Sequence, residues 1–185
     1  MVQTKAEDVA IVWPQLVSKY PTPSALSKAK NASLARLVRP LGLQNQRARS
    51  LVAIAKYLCL NFRGRIPRSA TELLSIPHVG LYTATAMGCF AFDERVPIVD
   101  ANILRVLGRI HGIKFGPDLR RAREAWVLAW AILPKTHPGL HNYGLLDFAA
   151  QVCTVKRPKC ESCPLSKACR FGRVLCRARS NGALR

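Results

Sequence analysis

The sequence predicts an all-α protein made of short helices. Apolar residues recur at three- and four-residue spacing along most of the chain, and Pro and Gly stand at turn positions between these stretches. No stretch alternates apolar and polar residues as a half-buried strand would. With 185 residues the chain is long enough to bury a core, and we expect two lobes, residues 1–94 and residues 95–185.

The helices are assigned in chain order. Apolar residues between Val9 and Tyr20 share one helical face, and Thr4–Glu7 matches a capping box in front of them. Eight further helical patterns follow, at Ser24–Ala29, Ser33–Val38, Asn45–Asn61, Ser69–Ser75, Leu81–Phe92, Ala101–His111, Leu119–Leu133 and Gly139–Val152. The remaining stretch, Cys153–Arg179, is interpreted as a metal-binding loop followed by a basic tail.

Four cysteines near the C-terminus have the spacing C-x6-C-x2-C-x5-C: Cys153, Cys160, Cys163 and Cys169. Four thiolates fill the protein ligand positions of one tetrahedral zinc ion or of one [4Fe-4S] cluster. Zinc sites usually pair their ligands as two C-x2-C units, whereas here only Cys160 and Cys163 form a short pair, so the spacing favours a [4Fe-4S] cluster. We expect Cys59 and Cys89 to be small buried side chains and Cys176 to be a spare thiol in the tail.

The charge predicts a polyanionic partner. Twenty-nine Lys and Arg residues oppose ten Asp and Glu residues, which gives a formal net charge of +19. No apolar run reaches the roughly 18 residues of a membrane span, and the chain starts without a signal-peptide pattern, so nucleic acid is favoured over a membrane surface. The odd number of cysteines, four of them assigned to metal, indicates a reducing compartment. We expect a monomeric, cytoplasmic, nucleoid-associated prokaryotic protein.

A short link joins two of the predicted helices and indicates a tight hairpin. In Ile76–Gly80, Pro77 ends the first helix, while Gly80 permits a close approach of the backbone and leaves N–H groups of the next helix free. Free N–H groups at a helix start suit a phosphate, although such a link taken alone is more often an ordinary interhelical turn. Further along, Asp100 follows an apolar run at the start of a helix, where most aspartates are N-caps.

Together, the hairpin, Asp100 and the four-cysteine loop resemble the helix-hairpin-helix DNA glycosylase superfamily (HhH-GPD), the group of endonuclease III and of the adenine-mismatch and thymine-mismatch glycosylases. The hairpin of that family has the sequence Leu-Pro-Gly-Val-Gly-x-x-Thr-Ala, and this chain has Ile76–Ala84 in the same pattern. The family's Val-Asp pair corresponds to Val99 and Asp100, and the cysteine spacing is that of the family's cluster loop. The resemblance covers almost the whole chain and implies a two-lobed all-α fold with a DNA cleft and a C-terminal [4Fe-4S] loop.

The chain departs from this family in two places. His78 replaces the first hairpin glycine, and where that position needs positive φ, His tolerates it less easily than Gly, so we expect a strained hairpin. An N-terminal segment of the family is also absent from this sequence, including a helix with a glutamate that helps to protonate the base in the adenine-specific branch. Either the start is misassigned or truncated, or the protein works without that glutamate.

The resemblance also implies roles for individual residues. Asp100 would stabilise the oxocarbenium-like sugar left by the departing base and orient the attacking water, and Asn102 would orient Asp100. The hairpin would contact double-stranded DNA through Pro77, His78, Val79, Gly80 and Thr83. Leu43, in a loop similar to the family's wedge loop, would insert into the duplex; the alternative is a helix-capping Leu packed inward.

Tyr82 distinguishes between branches of the family. The bifunctional branch has a lysine there that forms a Schiff base with the sugar, and a phenol cannot do so. Tyr82 therefore implies a monofunctional enzyme and resembles the branch that removes T or U opposite G, although Tyr82 is also explained as a packing aromatic. The alternatives are an adenine-specific mismatch glycosylase, a truncated DNA-binding protein without activity, and a ferredoxin-like electron carrier.

Overall fold

The computed structural model describes residue 4, residues 6–116 and residues 123–180. Within these ranges the protein contains ten α-helices and no strand, so the predicted all-α class is confirmed. The helices are α1 Ala6–Lys19, α2 Pro23–Ser27, α3 Asn31–Leu37, α4 Gln44–Phe62, α5 Ala70–Ser75, α6 Leu81–Phe92, α7 Ala101–His111, α8 Arg123–Ile132, α9 Pro138–Gln151 and α10 Arg170–Ser180. A 3-10 turn, Arg39–Leu41, lies between α3 and α4.

Each of the nine predicted helical patterns corresponds to a helix, from α1 to α9. The beginning of the pattern assigned to Leu119–Leu133 lies outside the described residues, and α8 begins at Arg123. The capping box predicted before α1 includes Lys5, which also lies outside them; the Thr4 hydroxyl accepts a hydrogen bond of 2.6 Å from Arg47 of α4.

The interpretation of Cys153–Arg179 as loop and tail was wrong in its last part, because α10 occupies Arg170–Ser180. The apolar positions of α10 are few and arginines separate them, so the pattern alone resembles a solvated basic tail. Contact with α7 stabilises the helix, and Gly172 is buried against the turn that precedes it. Tertiary packing therefore decides the conformation of this segment.

The chain divides into two compact units, Met1–Gly80 and Leu81–Arg185. The division falls within the predicted hairpin, earlier in the chain than the boundary that we expected between residues 94 and 95. The reason is that α6 packs on α9 and therefore belongs to the second unit. Asn142 of α9 donates a hydrogen bond of 3.1 Å to the Cys89 sulfur of α6.

The first unit has its core between α1, α3 and α4, while α2 packs along α4. The buried residues of this core are Val12, Leu34, Ala35, Val38, Ala48 and Val52. Burial of one such leucine or valine side chain contributes about 1.5–3 kcal/mol.

The second unit is built around α7, which contacts α8, α9 and α10. Its core consists of Val99, Ile103, Leu104, Leu107, Ala125 and Ala129. Helix α7 starts at the N-cap Asp100 and ends at Gly112, whose φ of 72° is the left-handed conformation that favours glycine. Among the described residues no helix has the length and apolarity that a membrane crossing requires.

Candidate active site

Asp100 is the N-cap of α7 and is also buried. One carboxylate oxygen, Oδ1, accepts hydrogen bonds of 2.8 Å from the backbone N–H groups of Asn102 and Ile103. The other, Oδ2, accepts a bond of 2.9 Å from the Asn102 side chain. Asp100 is only 2% exposed. The three donors and the helix N-terminus stabilise negative charge at this position.

The Asn102 side chain is held between Asp100 and Arg105. Its Nδ2 donates to Asp100, and its Oδ1 accepts a bond of 3.0 Å from Nη1 of Arg105. Arg105 in turn donates to the backbone oxygens of Cys153 at 2.9 Å and Ala149 at 2.9 Å. An acceptor on one side and a donor on the other fix the amide orientation of Asn102, which keeps its N–H pointing at the carboxylate. The sequence pattern identified Asn102. It did not identify the role of Arg105, because that role depends on contacts with the end of α9.

Tyr82 lies in the first turn of α6 and is half-buried. Burial raises the pKa of the Tyr82 phenol, and the negative charge of Asp100 raises it further. The phenol therefore lies within the electrostatic influence of Asp100, and it stays protonated at neutral pH. The structure thus places Tyr82, Asp100 and Asn102, the three residues expected to be catalytic, in the second unit, with both Tyr82 and Asn102 interacting with Asp100.

The link between α5 and α6 has the strain that we expected at His78, whose φ is 63°. The N–H of Val79 donates to the backbone oxygen of Ile76 at 3.1 Å, which closes the turn after Pro77. A non-glycine residue in this conformation costs about 1–2 kcal/mol. His78, Gly80 and Thr83 are exposed, while Pro77 and Val79 are partly buried.

Gly80 has a backbone conformation outside the left-handed region, so its φ does not require glycine. A Cβ atom built on Gly80 meets no heavy atom of the described residues within 4 Å. Packing inside this part of the protein therefore gives no reason for a glycine at this position. An external molecule that approaches the backbone closely would supply one.

Leu43 is the N-cap of α4, and the structure rejects the alternative that it packs inward. The side chain is 51% exposed, and its backbone is left-handed, with φ 46° and ψ 38°. Arg47 holds the loop before it, donating to the backbone oxygens of Gly42 at 2.9 Å and Leu41 at 3.1 Å. A strained, exposed leucine on a braced loop is typical of a contact residue.

The four cysteines of the C-x6-C-x2-C-x5-C pattern line a single pocket: Cys153, Cys160, Cys163 and Cys169. Burial raises the pKa of the Cys160 thiol, and the charges of Cys176 and of the other three cysteines raise it further. Cys176, expected to be a spare thiol in a basic tail, therefore lies on α10 near this pocket. In the described part of the chain no three Cys, His, Asp or Glu side chains form a group that could hold a single metal ion.

Arg109 of α7 forms hydrogen bonds with the start of the cysteine loop, the segment from Cys153 to Cys169. Its guanidinium donates to the backbone oxygens of Thr154 at 2.6 Å and Val155 at 2.9 Å, and lies 4.7 Å from the ring centre of Phe171. It also donates to the Cys153 sulfur at 3.4 Å. Helix α7 thus carries Asp100 at its N-terminus and holds the cysteine loop through Arg105 and Arg109 further along.

Comparisons with known proteins identify the family model and the relatives that this chain matches. The model of the HhH-GPD superfamily base excision DNA repair proteins matches residues 2–129. A thymine-DNA glycosylase of Aeropyrum pernix is 36% identical in an alignment of 171 positions that covers 90% of this chain and 76% of that protein. An adenine DNA glycosylase of Mycobacterium tuberculosis is 37% identical over 165 residues, which are 88% of this chain and 54% of that protein.

Among solved structures, a thermostable thymine-DNA glycosylase superposes with a TM-score of 0.86 at 33% sequence identity. The match covers 92% of this chain and 79% of that chain. The two proteins therefore share a fold over nearly the whole length of this one.

Proposed function

Because the chain belongs to the HhH-GPD superfamily of base excision DNA repair proteins, we propose that it is a monofunctional DNA glycosylase that removes thymine or uracil opposite guanine. As a DNA glycosylase, the protein cleaves the N-glycosyl bond between a base and its deoxyribose. The observation that carries the finer assignment is Tyr82, a protonated phenol in the field of Asp100, at the position where the lyase branch has an amine.

Asp100 suits the step in which the base leaves. A base inside the duplex stack is out of reach, so its nucleotide must be flipped out, at a cost of a few kcal/mol that is lowest for a mismatch. Departure of the base leaves positive charge on the sugar, and the Asp100 carboxylate stabilises that charge and orients the attacking water. Asn102 keeps Oδ2 in place through a hydrogen bond of 2.9 Å, which limits the rearrangement needed during the reaction.

Tyr82 suits a hydrolytic outcome. A lysine at this position would attack the sugar and form an imine, whereas a phenol cannot. The product is then an intact strand with an abasic site. The same position carries serine in the adenine-specific branch that the sequence also resembles, so the identity of the released base is the point that the experiment must decide.

For binding to double-stranded DNA we propose the hairpin and the Leu43 loop as contacts. Gly80 is exposed and unpacked, and free N–H groups at the start of α6 suit a phosphate. Leu43 would take the place of the flipped nucleotide in the stack.

For the cysteine loop we propose that Cys153, Cys160, Cys163 and Cys169 hold a [4Fe-4S] cluster. The donors are of the right kind, and all four line one pocket. A bound cluster would hold the shape of the loop, and exposed cations on it and at the start of α10 would contact phosphates: Lys156, Arg157, Lys159, Lys167 and Arg170.

The test uses duplexes with a single G:T, G:U or A:8-oxoguanine pair. We expect release of T and U, strand breaks only after alkali, and no adduct on borohydride treatment. Tyr82→Lys should gain an adduct trapped by borohydride, provided that Asp100 is intact, whereas Tyr82→Phe should gain none. Faster release of adenine than of thymine would assign the protein to the adenine-specific branch, and an efficient adduct with the unaltered protein would assign it to the lyase branch.

A further inference from the structure

The segment that leads into Asp100 forms no helix, and the described part of the protein contains no sheet to which it could belong. Residues 93–99 connect α6 to α7, and Pro97, Ile98 and Val99 are all buried. Buried backbone N–H and C=O groups need hydrogen-bond partners. Here the partner comes from a side chain, Asn142 of α9.

Asn142 is 3% exposed and forms three hydrogen bonds with its side-chain amide. Its Oδ1 accepts a bond of 3.3 Å from the N–H of Ile98, and its Nδ2 donates at 3.0 Å to the backbone oxygen of Val96. The remaining bond joins Nδ2 to the Cys89 sulfur at 3.1 Å. One amide thus bonds the N–H and the C=O of residues two apart, as a residue of a neighbouring parallel strand would do.

This pairing holds the backbone two residues before Asp100. Pro97, with its restricted φ, stands between the two bonded residues, and only Val99 separates Ile98 from Asp100. On the other side, the N–H groups of Asn102 and Ile103 hold Oδ1. The position of the carboxylate is therefore fixed on both sides: by α7, which follows Asp100 in the chain, and by Asn142, which binds the residues before Asp100.

We propose that Asn142 is a positioning residue, which places Asp100 for the reaction by serving as the missing strand partner of residues 96–98. This inference rests on the role of Asp100 under the proposed function. None of the three hydrogen bonds of Asn142 goes to the carboxylate, so the residue acts through the backbone of residues 96–98.

The first experiment measures amide hydrogen exchange in the 185-residue chain and needs no substrate. In Asn142→Leu, which has a similar volume and no amide, exchange at Ile98, Asn102 and Ile103 should accelerate about tenfold or more, while Leu107 in the middle of α7 stays protected. The matched control is Leu146→Ala, one turn along α9, which removes core packing and no hydrogen bond to residues 96–98. Faster exchange at Ile98 alone, with Asn102 and Ile103 unchanged, would overturn the proposal.

The second experiment separates positioning from general stability by measuring single-turnover base release. Asn142→Leu should lower the rate about tenfold or more when Asp100 is present, and about twofold or less in the Asp100→Asn background, because the residue acts through that carboxylate. Equal losses in both backgrounds, or an equal loss in Leu146→Ala, would mean a structural role only. If the unaltered protein releases no base, the proposed function fails, and the exchange at Asn102 and Ile103 still decides whether Asn142 positions Asp100.

Discussion

At the scale of single residues, Asp100 is an N-cap and is also the proposed catalytic carboxylate, two roles that sequence reasoning treats as alternatives. As an N-cap it uses Oδ1, which accepts hydrogen bonds from the backbone N–H groups of Asn102 and Ile103. Its second oxygen meets the Asn102 side chain, which Arg105 holds from behind. The cap thereby orients the carboxylate, and capping and catalysis are compatible in one side chain.

Asp100→Asn should lower base release by roughly two to three orders of magnitude or more, because the variant keeps the shape but lacks the charge that a sugar cation needs. Duplex affinity should remain within about twofold. The measurement is a single-turnover assay with a binding titration on the same duplex. The matched control is Asp93→Asn, at an exposed residue with φ 55°, a conformation that Asn accepts readily. Turnover in Asp100→Asn equal to that of the control would remove Asp100 from the mechanism.

At the scale of secondary-structure elements, the link between α5 and α6 has features that its own packing does not explain. His78 is strained, and Gly80 is a glycine with neither positive φ nor a close neighbour among the described residues. Both features concern an exposed stretch before a helix N-terminus, where an anion is stabilised by free N–H groups.

Gly80→Ala should leave the melting temperature nearly unchanged, since the added methyl group meets no atom of the described protein. Its affinity for duplex DNA should fall about tenfold or more, if a phosphate approaches the backbone at this point. Gly144→Ala, on α9 and equally unobstructed, is the control. Unaltered binding by the Gly80 variant would show that the hairpin does not contact the duplex as proposed.

The cysteine loop is the second element with a testable assignment. The purified protein should be yellow-brown and contain iron and inorganic sulfide in equal amounts, as expected of a [4Fe-4S] cluster. Cys163→Ser should lose most of the iron, whereas Cys59→Ser, outside the pocket, should keep it. Metal analysis and visible absorbance are the measurements. A colourless protein with one zinc ion per chain would favour the zinc alternative.

At the scale of the whole molecule, the formal net charge of +19 predicts binding to duplex DNA through phosphate contacts. Lysines and arginines that contact phosphates release counterions from the duplex, and this release makes the affinity depend on salt. The exposed lysines and arginines of the cysteine loop form part of the proposed phosphate-binding surface, and they lie on the second unit.

The affinity for duplex DNA should fall about 10³-fold between about 50 and 200 mM salt, if roughly six phosphates are contacted. Replacing Lys156 and Arg157 by Gln should reduce the slope of log affinity against log salt by about 2 and weaken binding to all sequences alike. Titrations at four or more salt concentrations measure both effects. A flat response would assign the charge to a different partner.

The sequence by itself determined the helical class and the approximate position of each helix from α1 to α9, whereas Asp100, Asn102 and Tyr82 were named together because their positions match motifs of the family that the chain resembles. The class and the helix positions depend on neighbours three or four residues apart, on caps and on turn residues, all of which are local. The positive φ of His78 was expected from the family resemblance, because His78 stands where the family's hairpin pattern has a glycine.

Only the tertiary structure decided which distant residues support the site. Arg105 reaches Cys153 across 48 positions and Asn142 reaches Ile98 across 44, and no periodicity within α7 or α9 indicates such partners. The conformation of α10, the exposure of Leu43 and the division of the chain at Gly80 depend likewise on packing between elements. A buried hydrogen bond forms where two surfaces meet, so its partners become known only when the helices are in place.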